Sequence, residues 1–277
     1  MKLALPLLIL AVLFTTRVAA EETSATHKTP IRILSWNIES EGADIHVIAK
    51  QLAEMPRYDI YGLTEVKAEE WQAIKEALGD DYDYWYSRTG FNDRTAYIVK
   101  KDRFEILSRG ELGSFDGIII NPGNYRSAHV YELYDRLNKT VFTVVLNHLA
   151  RGKAEVRQQQ AEGLRRWASA LNRPIIAIGD YNFDYVFATE QGNRAFDVFA
   201  QDGTFEWVKP NPLVDSNWFD GNGDGEDDYP GSILDFAFVA GEAKHWHPTS
   251  RVIVRDGDFP DDKTTSDHRP LELVLAP

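Results

Sequence analysis

Acidic, amide and imidazole side chains stand at or near the ends of short apolar runs in six separate parts of this chain. They are Asn37, Glu65, Asn147 with His148, Asp180 with Asn182, Asp235, and Asp267 with His268. Burying this many carboxylates is costly unless they are paired or hold a cation. Each has an ordinary structural explanation, as a capping amide or an acid beside an arginine, but six such places favour one shared site.

The residue types in this set suit phosphoryl transfer. Carboxylate and amide oxygens are ligands for Mg²⁺ or Mn²⁺, and the absence of Cys argues against a thiolate zinc site. The reaction needs a metal, a base for water and donors for the developing charge. We expect Asp180 to be the base, Asn182 to orient water or phosphate, and His268 to donate to a phosphoryl oxygen. Asp235 would fix the tautomer of His268.

Six short motifs occur in one order. They are Ser-Trp-Asn at 35–37, Thr-Glu-Val-Lys at 64–67, Asn-His-Leu at 147–149, Gly-Asp-Tyr-Asn at 179–182, Leu-Asp-Phe at 234–236 and Ser-Asp-His-Arg-Pro at 266–270. This order resembles the endonuclease/exonuclease/phosphatase superfamily, in its deoxyribonuclease-like branch. The resemblance spans Ile31 to Leu275.

The resemblance implies roles for further residues. Asn37, Glu65 and Asp267 would hold the metal, and Lys67 would support Glu65. His148 matches a second histidine of the deoxyribonuclease-like branch, where it is an acid or a phosphate contact. That histidine normally has a carboxylate partner near the segment 95–99, where this chain has Asp93 just upstream. Whether Asp93 takes that part is left open by the sequence.

Apolar periodicity predicts the elements that position these residues. Strands are predicted at 31–36, 58–63, 82–86, 95–99, 128–134, 141–146, 175–178, 234–239, 251–254 and 271–275, and helices at 45–55, 71–78 and 154–171. The segment 115–120 is predicted to be an ordinary strand. These elements predict an α/β (α+β) fold of two packed sheets with helices outside. The resemblance implies a four-layer sandwich of mixed sheets with the site at one edge.

The N-terminus predicts export. Residues 1–20 combine Lys2, a short apolar run and a small-residue cleavage site after Ala20, which is typical of a signal peptide. Residues 21–30 are expected to be a flexible leader and residues 31–277 one catalytic domain. We therefore expect a secreted or periplasmic monomer, without stable membrane insertion or an obligate protein partner.

Nucleic acid is the first substrate class considered. The net charge of −13 argues against non-specific adhesion to nucleic acid, but bound divalent cations can invert the field locally. Arg126, Arg151 and Lys67 are candidate phosphate contacts, with Lys153 and Arg157 in the same helix-leading segment as Arg151. The alternative is a phosphatase or phospholipase-C-like enzyme acting on lipid head groups or inositol phosphates. A binding module that has lost activity is disfavoured because Glu65, Asp180 and His268 are all present.

The segment 220–228 resembles the first nine positions of a calcium-binding loop. Its oxygen-bearing residues are Asp220, Asn222, Asp224, Glu226 and Asp228, and Gly225 allows the sharp turn. The twelfth position, which should be a bidentate Glu, is Gly231. Structural Ca²⁺ and an acidic turn without an ion are both compatible with this pattern.

Overall fold

The computed structural model describes residues 28–123, 125–229, 231–258 and 264–277. Their strands are β1 (Ile31–Asn37), β2 (Ile60–Val66), β3 (Tyr82–Tyr86), β4 (Arg94–Lys100), β5 (Phe104–Leu112), β6 (Ser114–Phe115), β7 (Ile118–Ile119), β8 (Ala128–Asp135), β9 (Thr140–His148), β10 (Ile175–Val186), β11 (Phe205–Trp207), β12 (Ser232–Ala240), β13 (Thr249–Val252) and β14 (Leu271–Leu275). Their α-helices are α1 (Ile45–Glu54), α2 (Trp71–Leu78), α3 (Ala154–Ala170) and α4 (Arg194–Ala200).

The strands form two six-stranded mixed sheets, which confirms the predicted fold class. The first has the order β13-β14-β1-β2-β4-β3, and the second the order β11-β12-β10-β9-β8-β5. One parallel pair lies near the middle of each sheet, β1 with β2 and β9 with β10, and the other pairs are antiparallel. The carboxyl ends of a parallel pair lie at one edge of its sheet. The residues that end these four strands are therefore brought to an edge in pairs.

The two sheets pack face to face through an apolar core. At Gly62 on β2, an added Cβ would lie 2.7 Å from the side chain of Ile178 and 3.0 Å from that of Leu146. A side chain here would therefore force the sheets apart, because protein interiors are close-packed. Glycine at this position allows the first sheet to approach the second most closely next to the parallel strands.

Helices cover the outer faces. The apolar stripes of α1 and α2, including Ile48, Leu52 and Ile74, pack on the first sheet beside Trp36 and Leu63. Helices α3 and α4 contact each other and lie with the core of the second sheet. No helix among the described residues is long and apolar enough to span a membrane.

Several predicted elements are corrected. The segment 115–120 is not an ordinary strand: β6 and β7 form a hairpin whose turn residues, Asp116 and Gly117, both have positive φ. The hairpin packs on α3, where Gly163 leaves room for Ile118 and Ile120. Strand β10 runs past 178 to Val186, so that Asp180 and Asn182 lie within it.

Three elements were missed because their sequences lack clear periodicity. Strand β5 carries Ser-Arg-Gly-Glu at an exposed edge, α4 has only two turns, and β11 is three residues long. At the N-terminus, Thr29 exchanges hydrogen bonds with Asn138, and Arg103 donates to the carbonyl oxygens of Thr29 and Pro30. Residues 28–30 are thus fastened to the domain. The predicted signal peptide and the rest of the leader lie outside the described residues.

A buried histidine makes the fold sensitive to acid. The His129 ring lies among Trp85, Tyr97 and Tyr131, and its Nδ1 is 3.1 Å from the Thr95 hydroxyl. Burial, aided by the charge of Arg109, lowers the pKa of His129 to about 3. The unfolded chain, with an ordinary pKa near 6.5, therefore takes up this proton first. The contribution of His129 to stability is present above pH 6.5 and is lost as the pH falls toward 3.

We expect His129→Phe to flatten the pH dependence of the unfolding free energy between pH 6 and pH 4, measured by urea denaturation. The slope should fall by roughly 1 kcal/mol per pH unit, the linkage value for one proton. The control is His245→Phe, which replaces an exposed histidine and should leave the slope unchanged. Equal slopes in the wild type and His129→Phe would contradict the assignment.

Candidate active site at the sheet edge

Strand pairing places the predicted catalytic residues side by side. In the second sheet, Asp180 on β10 is paired with His148 on β9 and with Asp235 on β12. In the first sheet, Asn37 on β1 is paired with Thr64, the neighbour of Glu65 on β2. The amide of Asn37 joins the sheets, because its Nδ2 donates to Glu65 Oε1 at 2.9 Å and to Asp180 Oδ2 at 3.1 Å.

Two β-bulges aim the acidic side chains. The β2–β4 register shifts between Leu63 and Val66, and Glu65, which lies between them, has φ 55°. The β10–β12 register shifts between Asp180 and Tyr185, where Asn182 has φ 51° and Asp184 has φ 48°. Left-handed non-glycine residues cost free energy and cluster at functional sites. A bulge re-aims side chains that a regular strand would alternate between its two faces.

Gly179 permits the closest backbone approach in the site. Its φ is 133°, and a Cβ on this residue would lie 1.9 Å from the carbonyl oxygen of Asn147. No L-residue with a side chain can take this position without displacing β9. The glycine of the Gly-Asp-Tyr-Asn motif is therefore needed to hold His148 and Asp180 on adjacent strands.

Each histidine is held through Nδ1 by its own carboxylate. Asp235 Oδ2 lies 2.7 Å from His268 Nδ1 and also accepts a hydrogen bond from Ser216 Oγ at 2.9 Å. Asp93 Oδ1 lies 3.0 Å from His148 Nδ1. The opposite nitrogens face the acidic cluster: His148 Nε2 is 3.5 Å from Asp180 and 3.8 Å from Glu65, and His268 Nε2 is 3.8 Å from Asp267.

The loop before β14 is tied to the end of β1. Ser266 Oγ donates to the carbonyl oxygen of Asn37 at 2.6 Å and accepts the backbone NH of His268. The indole NH of Trp36 donates to the carbonyl oxygen of His268 at 2.8 Å. The Ser-Trp-Asn and Ser-Asp-His motifs therefore position each other through buried hydrogen bonds.

The charges in the cluster shift the protonation of both histidines. Burial lowers the pKa of His268, but the carboxylates of Asp235, Asp267 and Asp180 outweigh it and raise that pKa well above its usual value. Burial also raises the pKa of Asp235 to about 6, against the opposing pull of His268. For His148, burial and the charge of Arg126 lower the pKa. Asp93 and Asp180 raise it by more, so the net shift of the pKa is upward.

Glu39 is a site residue that the sequence reading missed. Its Oε2 accepts the backbone NH of Asp267 at 2.8 Å, and its backbone NH donates to Asn37 Oδ1. Burial, then repulsion from Asp267 and Glu65, raises the pKa of Glu39 to about 7. The sequence feature that could have indicated it is its position two residues after Asn37, at the end of an apolar strand.

The site chemistry fits a divalent cation. Glu39, Glu65 and Asp267 crowd negative charge at the mouth, and a bound cation would relieve the repulsion that raises the pKa of Glu39. Among the described residues, one group of His, Asp and Glu places three potential ligand atoms within 4.8 Å of one another. It consists of Glu65, Asp93 and His148. Glu65 thus belongs both to this triad and to the predicted ligand set.

Four candidate cationic residues lie in different surroundings. Arg126 lies at the edge, with Nη1 2.9 Å from Asp93 and Nη2 donating to the carbonyl oxygen of Leu149. Arg151 is exposed and lines a neighbouring cavity. Arg157 is buried and donates to the carbonyl oxygens of residues 150 and 151, so it braces the loop instead of facing substrate. Lys67 lies beside Glu70, whose carboxylate accepts its backbone NH.

The acidic segment 220–228 forms a closed turn. Asp220 accepts backbone hydrogen bonds from residues 223, 224 and 225, which lower the pKa of its carboxyl group. Asp228 Oδ2 accepts the NH of Gly221, and Asn222 donates to Asp228 Oδ1. Asp224 and Glu226 are exposed. The turn joins Phe219 to Tyr229 and so leads toward β12 and Asp235.

Comparison with known proteins identifies the family. The model of the Endonuclease/Exonuclease/phosphatase family matches residues 34–268, a range that contains five of the six motifs in full and the last one as far as His268. The chain belongs to this family. It is accordingly a hydrolase of phosphoester bonds, from a metal-dependent family. No curated protein matches the sequence.

Solved structures share the fold at low sequence identity. An endonuclease/exonuclease/phosphatase family protein from Bacteroides thetaiotaomicron has TM-score 0.68 and 20% identity, over 90% of this chain and 98% of that one. A mannosyl-6-phosphatase from the same species has TM-score 0.65 and 20% identity, over 88% and 99%. Truncated TDP2 from Caenorhabditis elegans has TM-score 0.64 and 17% identity, over 90% and 98%. These likenesses confirm the four-layer architecture.

We expect Asp93→Asn to lower the pKa of His148, because it removes a carboxylate that offsets burial and the charge of Arg126. The titration midpoint of His148 should therefore lie lower in the variant than in the wild type, where Asp93 helps to raise the pKa. An NMR titration of the histidine ring signals without added metal measures this pKa. Asp102→Asn, at an exposed turn, is the control and should not move it. An unchanged His148 signal in Asp93→Asn would refute the pairing.

Proposed function

We propose that this protein is a metal-dependent phosphodiesterase whose substrate is nucleic acid, DNA or RNA. The observation that supports this proposal most strongly is the pair of carboxylate-held histidines. Both turn Nε2 toward acidic side chains, His148 toward Asp180 and Glu65 and His268 toward Asp267. A diester has two demands for protons, at a phosphoryl oxygen and at the leaving sugar oxygen, and two imidazolium groups can meet them.

We assign the roles as follows. Asp180 takes a proton from the attacking water, and its orientation is set by Asn37 and by the NH of Asn182. Asn182 donates through Nδ2 to Leu149, and its buried Oδ1 has no protein partner among the described residues. This leaves an acceptor to orient the water. His268 donates to a phosphoryl oxygen, and His148 protonates the leaving oxygen.

Asn37, Glu65 and Asp267 would hold a divalent cation, with Glu39 as a fourth oxygen donor. Mg²⁺ or Mn²⁺ fits this oxygen-rich set better than a thiophilic metal does. When bound, the cation would neutralise charge on the phosphate as a Lewis acid. The side chain of Arg126, anchored by Asp93, would add a guanidinium contact to the same group.

The alternative function is a phosphatase. The mannosyl-6-phosphatase named above shares the fold, and a phosphorylated sugar could also use the acidic cluster. A phospholipase-C-like activity has less support, because the β6–β7 hairpin, the candidate for membrane contact, is packed against α3. We also propose that the protein is exported after cleavage near Ala20, as the composition of residues 1–20 suggests.

A panel of substrates tests the proposed function. It comprises plasmid DNA, single-stranded DNA, RNA, sphingomyelin, inositol phosphates and mannose 6-phosphate, each with Mg²⁺, Mn²⁺ or Ca²⁺. We expect DNA or RNA to be hydrolysed with Mg²⁺ or Mn²⁺. Turnover of lipid, inositol or sugar phosphates with DNA and RNA untouched would replace the nuclease by the alternative.

We expect Asp180→Asn and His268→Ala each to lower kcat by about 10³ or more, because each removes a group that acts in the transition state. Arg166→Gln changes a charged side chain on α3 that is half exposed, at 50%, and should retain activity. Circular dichroism checks that the variants are folded. Wild-type kcat in both Asp180→Asn and His268→Ala would contradict the assigned mechanism.

We further propose that the segment 220–228 binds structural Ca²⁺. Chelation should lower the melting temperature, and Ca²⁺ alone should restore the melting temperature without restoring activity. An Asp220→Asn, Asp224→Asn double variant should not respond to Ca²⁺, since it loses two carboxylate donors. The absence of any shift in the wild type would remove this site.

A further inference from the structure

Exposed aromatic side chains are concentrated at the catalytic edge. Among the described Phe, Tyr and Trp side chains, three are exposed, namely Phe91, Phe219 and Tyr229, at 66%, 43% and 58%. Phe91 is two residues from Asp93, and Phe219 and Tyr229 flank the acidic turn between β11 and β12. The rings of Phe219 and Tyr229 stack on each other, with centroids 5.8 Å apart and planes at 28°.

A cavity of about 550 Å³ lies beside this pair. Tyr229, Val186 and Leu234 give it apolar walls, and Arg151, Asp184 and Asn217 give it polar ones. This is within the usual size range of a small-molecule site, roughly 300–1,000 Å³, with the usual mixture of apolar walls and few polar groups. A nucleoside fits such a volume.

Four residues that line the cavity are close in sequence to a proposed catalytic residue or are paired with one. Leu234 precedes Asp235, and Asp184 lies in the same bulge as Asn182. Asn217 forms a bridge with His268. Arg151 is three residues after His148. The cavity therefore adjoins the catalytic elements.

We propose that this cavity holds the base of a nucleotide next to the cleaved phosphate, stacked on Tyr229, and that the substrate is single-stranded nucleic acid. This inference rests on the proposed nuclease function and narrows it. Aromatic side chains are stacking platforms for every base, so they bind a strand without selecting sequence. In a duplex the same base face is covered by its neighbours and must first be unstacked.

The charge of the chain supports a stacking mode of binding. A net charge of −13 argues against an affinity that comes mainly from displaced counterions, which supply a large part of the affinity of duplex-binding proteins. The cations that adjoin the edge are few. Arg126 and Lys153 line a second cavity, of about 420 Å³, with Tyr125. Stacking on one side and a local cationic contact on the other suit a single flexible strand.

A short oligonucleotide with one cleavable phosphate tests this inference. It is made in three forms: one with a base on both sides of that phosphate, and two that each lack the base on one side. We expect loss of the base on one side to lower the wild-type kcat/KM about 10-fold or more, the scale of base–aromatic stacking. Tyr229→Leu should show little further loss with the abasic strand, whereas Tyr229→Phe should behave as the wild type. The same strand in a duplex should be cleaved at least as poorly as the abasic strand.

Leu137→Ala is the matched control, since Leu137 is exposed to the same extent, 58%, in the turn at the opposite edge. It should leave kcat/KM unchanged on every strand. Equal cleavage of duplex and single strands, with no abasic effect on either side, overturns the inference and leaves the nuclease function intact. Hydrolysis of sugar phosphates with every oligonucleotide uncut overturns both, so the two failures are distinguishable.

Discussion

Crowded negative charge at one sheet edge is the constraint on which the rest of the site depends. Glu39, Glu65, Asp93, Asp180 and Asp235 all lie within the hydrogen-bonded and ion-paired cluster described above, and Asp267 lies at its rim. Like charges at this density are tolerated only with cations among them. Two imidazoles and one guanidinium supply part of that compensation. The negative charge that these groups leave uncompensated is the physical reason why this edge suits a metal ion.

The sheets themselves are shaped by this cluster. The parallel pairs bring strand ends together, and both bulges occur where an acidic or amide side chain must turn inward. Gly62 and Gly179 are both needed for close approach: Gly62 allows the two sheets to pack together, and Gly179 allows two adjacent strands to do so. Backbone strain at Glu65 and Asn182 is thus balanced by buried hydrogen bonds, such as the one from Asn182 to Leu149.

The sequence predicted much of this arrangement, and its failures have physical causes. Apolar periodicity located the buried strands, because burial on both faces leaves a clear run such as Ile175 to Ile178. Exposed β5 and the short α4 left no such pattern. The partner of His148 stayed open because Asp93 lies in a turn, and loop conformation decides whether its carboxylate reaches the imidazole. Glu39 was missed because neighbours distant in the chain, Asp267 above all, give it its place in the site.

The pairing of Asp180 with Asp235 has a consequence for how this protein can change. Two carboxylates directly opposite each other on antiparallel strands oppose folding, and under the proposed mechanism they persist because the reaction needs them. Substitutions that relax this pair would be favoured in any selection for heat resistance alone. If variants are selected for stability alone, substitutions at this pair should therefore be among the first to remove activity. Selection for activity together with stability would prevent this loss.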